Sequence, residues 1–144
     1  MPSTVRLLNR LLTLHHRSFA QYLAEVGRWR APGAFDDETD RAFRAVVMDH
    51  QATARRTAAA ITTAGGAIDC GPFPMEFTDK NDLASDYLLG EVVESERRDV
   101  VEIEQILRQL PAGAVEARDL AEESLGAAKA HIETLSALAA KQPA

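Results

Sequence analysis

Four apolar stripes at helical spacing run along this chain, and each is interrupted once, near its middle, by a polar side chain. In the first stripe Val5, Leu8, Leu12, Phe19, Tyr22, Val26 and Trp29 recur in steps of three and four around residue 15, a histidine. The second carries Phe43, Val47, Ala54, Thr57, Ile61 and Ala64 around His50. The fourth carries Ala117, Ala121, Ser124, Ala128, Leu135 and Leu138 around His131. In the third, Leu89 and Val93 are separated from Val100, Ile103, Leu107 and Leu110 by six polar residues, Glu94 to Asp99. A helix cannot hide one face for that long, and the spacing turns Glu96 inward. A polar group in such a seam must find a partner or cost stability.

Punctuation between the stripes sets the element boundaries. Ser3 is a good N-cap for a first helix over residues 3–30, stopped by Ala31-Pro32-Gly33-Ala34. Asp36 or Asp37 caps a second helix over 39–64, with Glu38 and Asp40 in its first turn and Gly65-Gly66 at its end. A third helix is expected over 79–110, ending before Pro111-Ala112-Gly113, and a fourth over 115–139. The first and third connections are short. The second, about fifteen residues from Gly65, reaches roughly 50 Å if extended, whereas a 25-residue helix measures roughly 37 Å. It is long enough to cross a whole bundle. Its apolar members Ile68, Phe73, Pro74, Met75 and Phe77 predict that it packs on the helices.

The expectation is one all-α domain over residues 1–144, an antiparallel four-helix bundle with a long crossover between its second and third helices. Only 6% of the residues are aromatic, against 46% apolar, a balance that favours helices over sheets. The net charge of −6, with no basic run, argues against a nucleic-acid-binding face. Cys70 is the only cysteine, so no internal disulfide can form. No hydrophobic leader block and no membrane-length apolar stretch appear, and a cytoplasmic setting is the expectation.

His15, His50, Glu96 and His131 share seam positions at mid-height on four helices. A single seam histidine is most often a hydrogen-bonded core residue. Three imidazoles and one carboxylate at one level form a first shell for a divalent metal such as zinc, iron or manganese. Glu91 or Glu94 is the alternate carboxylate if the helical phase slips. His16 points about 100° away from His15 and is a secondary candidate. No substrate pocket or nucleophile is legible, so the chain is read as a metal-binding bundle with enzymatic activity left open. The competing reading is a metal-free scaffold that dimerises or binds partners through Phe19, Trp29 and Phe35.

Leu8-Asn9, Leu12 and Gln21-Tyr22 resemble the first helix of bacterioferritins and their relatives in the ferritin-like superfamily, and His131-Ile132 with Leu135 resembles the end of their fourth. The resemblance implies a di-iron site built from a glutamate on the first helix, Glu-x-x-His on the second, a glutamate on the third and Glu-x-x-His on the fourth. Carried onto this chain, those positions fall at His15, at Val47 and His50, near Glu94 to Glu96, and at Ala128 and His131. Both histidines survive, but three carboxylates are replaced, and without bridging carboxylates a mononuclear site is the expectation. Dimerisation through helix faces is also what the resemblance implies. DinB-like proteins hold one metal with three histidines, but the His-x-x-x-His of their fourth helix is missing around His131.

Overall fold

The computed structural model describes residues 3–26, 36–71, 73, 77 and 85–141, with only the backbone of residues 26 and 85–87. Five helices account for the regular structure: α1 Thr4–His16, α2 Phe19–Val26, α3 Asp37–Thr63, α4 Ser85–Gln109 and α5 Val115–Ala140. No strand occurs among the described residues. The chain is therefore all-α. None of these helices is long and apolar enough to cross a membrane.

The termini follow the expected chemistry. Ser3 Oγ accepts from the Arg6 amide at 3.1 Å, and the Asp36 carboxylate accepts from the Thr39 amide at 2.7 Å, with three further acids in the first turn of α3. At the end of α3 the Gly66 amide donates to the Ile61 carbonyl and the Gly65 amide to the Thr62 carbonyl. That pair of bonds closes the helix, and Gly65 supplies the left-handed residue at φ 78°. Between α4 and α5, Arg118 donates to the carbonyls of Leu107 and Leu110, both at 3.1 Å, and so caps the end of α4 from the next helix.

The expected first helix is instead two. It breaks at Arg17-Ser18, where the Ser18 hydroxyl accepts from the Gln21 amide at 3.0 Å and the Ser18 carbonyl from the Tyr22 amide. Ser18 thus starts α2, as the Ser-x-x-Gln spacing of a capping box would direct. The interior register survives the break: Leu8, Leu12, His15, Phe19 and Tyr22 are all buried. Phe19 is consequently a core residue and not a dimer contact. Trp29 and Phe35 lie outside the described residues, as do the expected helical turns over 27–30 and 79–84.

Two apolar clusters form the core. One gathers Phe19, Leu23, Phe43, Val46, Leu88, Leu89 and Leu135; the other gathers Leu7, Leu11, Ile61, Ile103, Ile106 and Leu120. Each of the long helices contributes to both. Its polar seam residues fall between them, so a polar layer separates two dry halves. The described residues of the α3–α4 connection lie against α1 and α2. Asn9 donates to the Ala67 carbonyl at 2.9 Å and accepts from the Asp69 amide at 2.8 Å, and Arg17 Nε donates to the Gly71 carbonyl at 2.6 Å. Phe73 and Phe77 then pack on Tyr22. Ile68, expected to pack inward, is exposed. Pro74 and Met75 are outside the described residues.

Candidate metal centre

Three of the four predicted seam groups meet in the polar layer. His15 leaves α1 just before the break, His50 lies mid-way along α3 and Glu96 mid-way along α4, and all are buried with 5%, 4% and 2% of their surface exposed. The two imidazoles lie with centroids 4.9 Å apart, and their Nδ1 atoms are 2.8 Å apart. His50 Nε2 is 2.6 Å from Glu96 Oε1, and His15 Nε2 is 2.6 Å from the hydroxyl of Ser124, on α5. An unbroken chain of hydrogen bonds therefore runs Ser124–His15–His50–Glu96 through all four sides of the layer.

Electrostatics assigns the protons. Burial, reinforced by the charge of His50, holds the His15 pKa well below the ordinary 6.5, so His15 is neutral. Burial opposes charge on His50 too, but the Glu96 carboxylate, by charge and hydrogen bond and with Asp99 and Asp49 behind it, raises its pKa above 6.5. With His50 charged, Nε2–H donates to Glu96, Nδ1–H donates to His15, and His15 Nε2–H donates to Ser124. A metal ion on His50 Nε2 would replace one proton and leave the other two bonds unchanged. His15 is thereby placed behind His50 as the group that fixes its ring, the usual partner of a metal-binding imidazole.

Asp99 completes the cluster. It stands one turn beyond Glu96 on the same face of α4. Burial and the neighbouring Glu96 charge raise its pKa well above 3.8, against the opposing pull of His50 and Arg98. One donor atom each from His50, Glu96 and Asp99 lies within 4.8 Å of the other two, a spacing that one ion with bonds of about 2.1 Å closes with small side-chain rotations. Glu96 Oε2 and Asp99 Oδ2 are both buried without a hydrogen-bond partner. Two orphaned oxygens on carboxyl groups clustered with an imidazole are a donor set for a divalent cation.

The remaining predicted ligands stand elsewhere. His131 is half-buried and turns its Nε2 to the exposed Asp49 at 2.6 Å. The seam on α5 passes from Ala128 through Ile132, which packs against the core, to Leu135, so the apolar neighbour takes the inward position. Glu94 is exposed beside Arg97, and His16 is exposed at the end of α1. Val47 and Ala128, where the family resemblance would require bridging carboxylates, are buried apolar residues. The signal for Asp99 was present in its i,i+3 relation to Glu96, and that for Ser124 in its seam position. Compared with family models, with curated proteins and with solved structures, the chain matches none.

Proposed function

We propose that this chain is a ferritin-like four-helix-bundle metalloprotein holding one divalent cation, zinc, iron or manganese, between His50, Glu96 and Asp99. The observation that carries the proposal is the pair of buried, unpartnered oxygens, Glu96 Oε2 and Asp99 Oδ2, beside the His50 ring. Taking a charged carboxylate out of water without a partner is costly, and a cation supplies the partner for both at once. The ferritin-like arrangement is supported by the packing of α1 on α3 and of α4 on α5, and by the described part of the connection, which lies against α1 and α2. A single ion is favoured over a pair because Val47 and Ala128 offer no bridging oxygen. Metal analysis of the purified protein tests the reading. About one equivalent is expected, lost in His50→Ala; a metal-free protein that takes up none when supplied with zinc, iron or manganese contradicts it.

A second reading has its own observation. All four ring nitrogens of His15 and His50 already have protein partners. The layer would then be a metal-free polar core in a scaffold that acts by association, with Asp99 protonated. In that case no metal is taken up, and His50→Leu destabilises the fold because it leaves the buried Glu96 and His15 without their partner.

A further inference from the structure

We infer that the metal centre is reached from a cavity that binds a small oxyanion, a carboxylate or a phosphate, as an additional ligand of the ion; the inference rests on the metal reading above. A cavity of about 510 Å³ lies between the α1–α2 break and α4, and Asp99 is in its wall. Its size falls in the range of small-molecule sites. Three protein donors leave a divalent ion with at least one open position, and Asp99 is the one donor of the three that borders the cavity.

The same wall carries Arg10, Arg17 and Arg98. Arg10 is committed to Glu102, with Nη2 2.5 Å and Nε 3.1 Å from one carboxylate oxygen. Arg17 donates Nε to the Gly71 carbonyl and rests on the Phe73 ring, and among the described residues it has no ion pair with a carboxylate. Arg98 is exposed, has no carboxylate in ion-pair contact among the described residues, and is close enough to act on the Asp99 charge. Once Glu96 and Asp99 neutralise a divalent ion, the two guanidinium groups of Arg17 and Arg98 remain as surplus positive charge. Ser18 and Ser95 also line this cavity. A planar guanidinium and a metal ion facing one space select an oxyanion with two or more oxygens. Without the ion, the anion would meet the Asp99 carboxyl group instead of a cation.

The test is calorimetric titration of zinc-loaded and metal-free protein with acetate and with inorganic phosphate at low ionic strength. Zinc-loaded protein is expected to bind at least one of the two, and the tighter of them names the ligand class. Arg98→Gln should keep its zinc and its melting temperature while losing roughly tenfold in anion affinity, and the metal-free protein should bind more weakly still. Zinc-loaded protein that binds neither anion overturns the inference alone, as does Arg98→Gln binding like the wild type, or equal binding with and without zinc. A protein that takes up no metal overturns this inference and the metal reading together.

Discussion

Asp99 sets a conflict inside the metal-free protein, because its carboxyl group stands within 4.8 Å of a Glu96 carboxylate oxygen and its Oδ2 has no hydrogen-bond partner. Asp99→Asn replaces that repulsion with an amide able to donate to the free Glu96 oxygen. The metal-free variant should be more stable than wild type at neutral pH by about 1 kcal/mol, read as a rise in melting temperature, and should no longer gain stability from added metal. The pH response has a definite sign. His50 and Asp99 hold their protons more tightly when folded, so the stability they give is present below their ordinary values, 6.5 and 3.8, and is lost as pH rises through the raised ones. His15 acts oppositely: its contribution is present above 6.5 and falls away as pH drops below it. Metal binding displaces the His50 Nε2 proton and therefore strengthens with pH. Melting temperatures of metal-free and metal-loaded protein should diverge between about pH 6 and about pH 8; parallel curves would remove the proton–metal competition. His15, His50 and Glu96 were legible in sequence because a seam position dictates burial. His131 was not, because the four-three pattern of α5 can step through 131 or through 132 and the apolar Ile132 wins.

The helix boundaries were legible wherever a cap marks them. The start of α3 is Asp36, its end is Gly65-Gly66, and α5 begins just after Pro111-Ala112-Gly113. The Arg17-Ser18 break was hidden because the apolar register continues across it; only the Ser18-x-x-Gln21 pattern betrays it. Ser18→Ala should cost about 1 kcal/mol in denaturant unfolding, the worth of a lost N-cap. At Gly66 a β-carbon would come within 2.5 Å of Val5 Cγ1 and 3.2 Å of Ile61 Cγ2. Gly66→Ala should therefore destabilise by roughly 1–3 kcal/mol, and Val5→Ala in the same chain should restore part of the loss. Additive effects in the double variant would show that the end of α3 does not press on α1 at this point.

At the scale of the whole molecule, two apolar clusters joined by one polar layer explain why a bundle of this size carries a buried histidine pair. The layer interrupts the dry core, and its cost has to be offset there. The connection after α3 was expected to pack on the helices, and Phe73 and Phe77 do so against Tyr22. Its partners on α1 and α2 were not legible, because Asn9 and Arg17 carry no pattern that marks them as anchors. Calorimetric titration of metal-free protein with zinc tests most directly whether His50, Glu96 and Asp99 form a site for an ion. Wild type and His131→Ala should each bind about one equivalent, and Asp99→Asn and His50→Ala should bind none or far more weakly. A titration in which no variant binds zinc, or in which His131→Ala alone abolishes binding, would contradict that site.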